Sequence, residues 1–200
     1  MQTRQALLDA AMRLMENHSL SSISLREVAR AAGIVPAGFY RHFPDMDSLG
    51  VALVEESFEP LHAALRTVRT GFADSDEVIH RSLLMLAQTA YEHRDLFRFI
   101  ARERYGGALR VREAIRDQLR RFTDELADDL RSGAVGTHAR LDEWPPGDVE
   151  MLAQLVVNHM VQTTAALMDA PDQAALVDAA TVQLRLVMLG ARHWLDAPDD

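Results

Sequence analysis

The chain has 200 residues, of which 48% are hydrophobic and 6% aromatic, and a formal net charge of −9. That suits one medium domain, or a small domain joined to a larger one, with apolar material for a sizeable core. With no cysteine there are no disulfides, thiolate metal sites or cysteine nucleophiles, and the cytoplasm is the expected compartment. No run nears the roughly 18 to 20 apolar residues of a membrane span. The opening Met1-Gln2-Thr3-Arg4 leads into a segment carrying Asp9 and Glu16, which is no secretory leader. No membrane association is expected.

In chain order, residues 4–17 place Leu7, Ala11 and Leu14 on one stripe at helical spacing, behind a frayed start at Thr3 and Arg4. Asn17-His18-Ser19-Leu20-Ser21-Ser22 breaks that helix. Ser24 with Glu27 forms a capping box that starts a second helix, and Gly33 ends it as the residue able to take positive φ. Pro36 suits the first turn of a third helix, running to about His42, because its missing N–H has no intrahelical partner there. Pro44 and Asp45 punctuate. A long fourth helix follows from about Asp47 to Arg69, interrupted by Gly50 and bent at Pro60. Past the break at Gly71-Phe72-Ala73-Asp74, further amphipathic runs cover about 75–92, 95–104, 108–131, 148–168 and 173–195. Gly106-Gly107 separates two of them, and Ser132 to Gly147 is the longest irregular stretch. No strand-like alternation persists. The expected fold is all-α, with a three-helix head over residues 1–45 and a larger helical body over 46–200.

The acidity is unevenly spread. Residues 1–45 carry five arginines (Arg4, Arg13, Arg26, Arg30, Arg41) against four acids (Asp9, Glu16, Glu27, Asp45), a net of +1. The remainder is acidic, and a local positive field is enough to attract phosphate.

Residues 24–43 form two short helices joined by a tight glycine turn behind a longer helix. This is the helix-turn-helix arrangement, whose second helix enters the major groove. Val28, Ala29, Ala32, Ile34, Phe39 and Phe43 are the apolar positions expected to pack the helices together. Ala37, Gly38, Tyr40, Arg41 and His42 face outward. Tyr40 reads as a phosphate contact in preference to a half-buried aromatic, and Arg41 as a DNA contact in preference to a solvated charge. His42 is open between a phosphate donor and a helix cap. Arg26 and Ser24, at the start of the helix that crosses the backbone, are placed at phosphate, and Thr3 and Arg4 within reach of DNA.

The order Leu7-Leu8-Asp9-Ala10-Ala11, Ser24-Leu25-Arg26-Glu27-Val28-Ala29, Ala32-Gly33-Ile34 and Phe39-Tyr40-Arg41-His42-Phe43 closely resembles the tetracycline-repressor (TetR) family. The resemblance implies a DNA-binding head on a helical ligand-binding and dimerisation body. The sequence departs from the family pattern at Val35, where a serine or threonine commonly caps the recognition helix, and at Met46, where a lysine commonly reaches a phosphate. Within the family, residues 33–43, 45–50 and 96–104 look like the repressors of unsaturated fatty acid synthesis and acyl-chain desaturation. That likeness implies long-chain acyl-CoA thioesters as effectors and lipid metabolism as the controlled process.

In the body, Leu83 and Leu86 lie on one apolar stripe, Leu119 and Phe122 on another, and Phe97, Phe99 and Ile100 between them in sequence. Plain core is the ordinary reading of such stripes; an acyl tunnel is the sharper one. Arg112, Arg116 and Arg120 recur at i, i+4 and i+8 with Arg102 nearby, either a solvated face or cations for a CoA head group. Leu152, Val156 and Met160, with Val182, Leu186 and Leu189, sit on wide apolar faces expected to form a homodimer that reads a palindromic operator. No nucleophile elbow, phosphate loop or dinucleotide fingerprint occurs, and no histidine pair has ligand spacing. No enzyme activity, cofactor or metal is expected. The alternatives are a repressor answering a hydrophobic drug-like compound, and a DNA-independent helical lipid-binding or adaptor protein.

Overall fold

The computed structural model describes residues 2–15, 18–71, 74–133 and 141–194, and among these there is no strand. The helices are α1 (Gln2–Met15), α2 (Leu25–Ala31), α3 (Pro36–Phe39), α4 (Met46–Gly71), α5 (Ser75–Glu92), α6 (Arg94–Gly106), α7 (Leu109–Arg131), α8 (Pro146–Leu167) and α9 (Gln173–Ala191). Short 3-10 turns occupy Leu20–Ser22 and Leu141–Glu143. The expected end of the first helix at residues 16–17, the break at 72–73 and the last expected helical residue, 195, lie outside the described residues. The all-α expectation holds.

The chain forms two compact units. One is drawn from Met1–Pro60 and His93–Gln118, the other from Leu61–Glu92 and Leu119–Asp200. In the first unit α1 packs on α2 and α6, and α2 on α3. Its core holds Leu7, Leu8 and Ala11 of α1, Val28 and Ala29 of α2, Phe39 of α3, and Leu49 and Leu53 of α4. Phe99 of α6 with Val111 and Ile115 of α7 is buried in the same unit. In the second unit α5 packs on α8 and α9, and these two on each other.

Gly50 acts differently from its expected role, whereas Gly107 separates α6 from α7 as expected. Gly50 does not interrupt α4, which runs unbroken from Met46 through Pro60 to Gly71. A Cβ at Gly50 would stand 2.5 Å from Leu20 Cδ2 and 2.7 Å from Val111 Cγ2. The glycine therefore serves close packing, which a reading of helix breakers cannot register. Gly107 follows α6 at an ordinary φ of −75°. A Cβ there would meet the Glu103 backbone oxygen at 2.8 Å and collide with the Glu103 carboxylate.

By length and composition α9 is apolar enough to cross a membrane, contrary to the reading that no run nears that length. The reading sought uninterrupted apolar runs, and Asp178 and Arg185 divide this one. Its place in the second unit is held by polar contacts as well as packing. Arg185 Nε pairs with Asp76 of α5 at 3.0 Å, and His80 Nδ1 lies 3.4 Å from the Thr181 hydroxyl. Only 28% of its apolar window is buried within the chain.

Candidate nucleic-acid interface

The reading segment is set by local chemistry. Ser24 and Glu27 cap α2 reciprocally: the Glu27 amide donates to Ser24 Oγ at 3.3 Å, and the Ser24 amide donates to Glu27 Oε2 at 2.8 Å. The helix then stops in a Schellman turn. Gly33 takes φ +72°, its amide donates to the Arg30 carbonyl at 3.0 Å, and the Ile34 amide donates to the Ala29 carbonyl at 2.9 Å. This turn sets α3 against α2, and Phe39 anchors it from within. The Phe39 ring is fully buried, 5.7 Å from Phe43 and edge-on to Tyr40 at 6.0 Å.

α3 is shorter than expected. Its α-helical residues end at Phe39, and 40–42 continue as turns, with the His42 amide donating to the Phe39 carbonyl at 2.9 Å. Ala37, Tyr40, Arg41 and His42 are exposed, and Gly38 is half-buried. Arg26 is exposed at the start of α2, and Thr3 is half-buried in a first turn that is helical from Gln2. Ser24 makes the cap, its hydroxyl also donating to Glu27 Oε2 at 2.7 Å. Arg4 pairs with Glu56 and lies over the Phe43 ring at 5.3 Å, joining α1 to α4.

Two of the head's acids are held ionised by internal hydrogen bonds, while two of its arginines are not engaged by another described residue. Hydrogen bonds from the Ser24 amide and hydroxyl hold the Glu27 carboxyl below its ordinary range. Asp45 is held low chiefly by Ser48, whose amide donates to it at 2.6 Å, and secondarily by Arg110 at 3.3 Å. By contrast, Arg26 and Arg41 are exposed, and their guanidiniums have no hydrogen bond or ion pair to another described residue. Exposed cations without an internal partner are available to a polyanion.

The first unit also clasps the joint after α1 to α6 and α7. Arg102 donates to the carbonyls of Met15, at 3.0 Å, and His18. Its neighbour Glu103 is buried, and Glu103 Oε1 accepts the Leu20 amide at 3.0 Å. The Leu20 side chain sits in the space that Gly50 leaves open beside Val111. Arg110 reaches both Asp45 and Ser48 at the start of α4. Periodicity could not find these contacts between residues far apart in the chain. The one available signal was an acid at 103 on the buried face of an otherwise arginine-rich helix.

With this geometry in place, the comparisons with known proteins are decisive. Residues 7–53 match the family model described as bacterial regulatory proteins, tetR family. Residues 75–190 match the tetracyclin repressor-like C-terminal domain, which alone spans more than half of the chain. The chain belongs to the TetR family. It is a DNA-binding transcription regulator with a helix-turn-helix at α2–α3.

Solved structures similar to this TetR-family regulator include the fatty acid degradation regulator FadR from Bacillus halodurans, with a TM-score of 0.70 and 17% identity over 90% of this chain and 93% of that one. FadR from Bacillus subtilis, solved with stearoyl-CoA, has a TM-score of 0.70 and 16% identity over 93% and 98% of the two chains. A transcriptional regulator from Rhodococcus sp. Rha1 has a TM-score of 0.73 and 18% identity over 94% and 97%. At these identities the likeness is one of fold.

The body residues singled out in the sequence fall in both units. Phe97, Phe99 and Ile100 are buried in the first, with Arg102 at its clasp, Arg112 half-buried and Arg116 exposed. Arg112 Nε is buried without a hydrogen-bond partner among the described residues. Leu83, Leu86 and Phe122 are buried in the second unit, and Leu119 is half-buried there. Phe122 stacks on the buried His62 ring at 3.7 Å. His62 Nδ1 lies 3.2 Å from Glu125 Oε2, and Arg69 joins them with bonds to Glu125 at 3.4 Å and Asp129 at 2.5 Å. Burial by itself would raise the Glu125 carboxyl. The hydrogen bond and charge of His62, with Arg66 and Arg121, outweigh that and hold it below the ordinary range. No group of three or more metal-ligating side chains occurs among the described residues.

On α8, Leu152 and Val156 are buried within the chain's own fold and Met160 is half-buried, whereas Met151 and Leu155 are exposed. On α9, Val182, Leu186 and Leu189 are all exposed.

Proposed function

We propose that this regulator is a homodimeric repressor whose grip on a palindromic operator is set by a long-chain acyl-CoA, and that it controls genes of fatty acid or lipid metabolism. A DNA-binding head over residues 1–45 and a ligand-binding and dimerisation body over 46–200 is the functional division that goes with this reading. At the DNA, Tyr40, Arg41, His42 and Arg26 are the groups offered to phosphate and base edges, with the small Ala37 and Gly38 allowing close approach.

The observation that carries the effector reading is Arg112. Its Nε is buried and unpartnered, and it lies in the same compact unit as the reading helix. A buried cation edge without a partner is costly until an anion meets it. A CoA head group supplies phosphates for that edge and for the exposed Arg116. The FadR structure from Bacillus subtilis supports this class by analogy, since its ligand is stearoyl-CoA. The clasp of Arg102 and Glu103 on the α1 joint, with Arg110 at Asp45 and Ser48, gives α6 and α7 a physical hold on the head, so a ligand touching these helices has a route to the reading helix within one unit.

The dimer reading draws on α8 and α9. Exposed Met151, Leu155, Val182, Leu186 and Leu189 would cost free energy in water, and a second copy would remove them from it. An α8 contribution comes from Met151 and Leu155, since Leu152 and Val156 serve the chain's own core.

The test is a fluorescence-anisotropy titration of a labelled operator, obtained by selection from random DNA, with palmitoyl-CoA, oleoyl-CoA and free CoA. Reciprocity requires an effector that changes operator affinity to have its own affinity changed by DNA equally. If none of the three shifts operator affinity, the acyl-CoA reading fails and an apolar drug-like effector takes its place.

A further inference from the structure

We infer that Val35 is a specificity-determining residue, its isopropyl group reading the C5-methyl of a thymine in the major groove. Among the described residues up to Pro60, the large apolar side chains left exposed are Val35 and Tyr40, and both belong to the reading segment. Val35 is 70% exposed, so packing within the chain does not account for it. It stands at the residue before α3, with φ −74° and ψ 147°, and its side chain makes no capping bond. Its backbone is held all the same, because its carbonyl accepts the Gly38 amide at 2.8 Å.

The neighbours narrow the chemistry. Pro36 and Ala37 follow Val35, and both are exposed. Neither side chain carries a donor or acceptor, and Pro36 lacks a backbone N–H. The leading edge of the reading segment therefore cannot recognise a base through side-chain hydrogen bonds. Polar readout falls to Tyr40, Arg41 and His42 at the other end. Of the groups displayed on the major-groove edge of DNA, the thymine C5-methyl is the apolar one. A β-branched side chain suits this contact because it has little χ1 freedom to lose.

The inference rests on the DNA-binding role of the α2–α3 helix-turn-helix, and the experiment separates the two. The full-length protein is first used to select bound sequences from random DNA. Each thymine of the selected half-site is then replaced by deoxyuridine, which removes only the methyl. Wild type is expected to lose about fourfold in affinity at one symmetry-related position per half-site, the value of one buried carbon. Val35→Ala is expected to bind the thymine and uracil forms of that position alike. Val35→Ser, which introduces a capping hydroxyl and so favours the native turn, is expected to lose the discrimination as well. Uracil tolerated at every position by wild type overturns the inference, as does undiminished discrimination in either variant. Selection that enriches no sequence overturns the DNA-binding reading and this one with it, a result distinct from the others.

Discussion

The clasp at Glu103 makes a prediction that separates an accepting oxygen from mere bulk. Glu103 is 1% exposed. One carboxylate oxygen accepts the amide of Leu20, itself buried, at 3.0 Å, while the other has no hydrogen-bond partner among the described residues. Glu103→Gln keeps an accepting oxygen at the same reach and exchanges one unpartnered polar atom for another, so it should change stability by less than about 1 kcal/mol. Glu103→Ala leaves the Leu20 amide orphaned, at a cost of about 1–3 kcal/mol, and deletes one buried methylene worth about 0.8 kcal/mol. The alanine variant should therefore lose about 2–4 kcal/mol. Gly107→Ala attacks the same contact from the other side, since its Cβ would collide with the carboxylate. It should cost about 1–3 kcal/mol as overpacking. Combined with Glu103→Ala it should cost less than the sum of the two single changes, because the colliding group is gone. Urea unfolding followed by circular dichroism gives each value, with equal slopes required for the comparison. Alanine as stable as wild type, or glutamine as damaging as alanine, would refute the assigned hydrogen bond.

Other outcomes follow from the head, the exposed faces and the buried charges. Tyr40→Ala and Arg41→Ala should weaken operator binding without unfolding the protein. A lost phosphate contact lowers the salt dependence by about one unit of slope, and a lost base contact relaxes specificity at one position. Unchanged affinity in both would remove these residues from the interface. Leu186→Glu should shift the protein to monomer in sedimentation, since an unpaired charge buried at an interface is strongly unfavourable; a wild-type monomer at micromolar concentration would refute the dimer. Glu125 carries a pH signature. Its folded pKa is depressed below the ordinary 4.5, so its contribution is fully present well above that pH. It declines as pH falls through the unfolded value and is gone below the folded one. Glu125→Gln should therefore destabilise the protein at pH 7 and matter progressively less toward pH 3; a constant deficit across that range would contradict the linkage.

Local signals carried far along this chain. Ser24, Glu27 and Gly33 are legible as cap, box and left-handed turn because each acts within four residues of itself. Asp172 caps α9 in the same local way, through the Ala175 amide at 3.0 Å, although it was not singled out in the sequence. Helical periodicity placed the long helices to within a few residues, and the head motif was explicit enough to imply the family. Face assignment was harder. Leu152 and Val156 lie on an apolar stripe of α8, yet they are buried within the chain while Met151 and Leu155 remain outside. A helix apolar on more than one side does not declare which side meets its own chain.

By itself the sequence determined the all-helical class, the helix-turn-helix and the outward group at Tyr40, Arg41 and His42, because capping, turn chemistry and 3.6-residue periodicity are short-range properties. Only the tertiary structure decided how the charges are spent. It sets Arg110 against Asp45 and leaves Arg26 and Arg41 without partners among the described residues. It also commits Arg102 and Glu103 to the α1 joint. The same applies to Gly50, a helix breaker by propensity that the fold uses for the close approach of Leu20 and Val111. Such contacts join residues far apart in the chain, and their free energy depends on distances that exist only once the chain has folded.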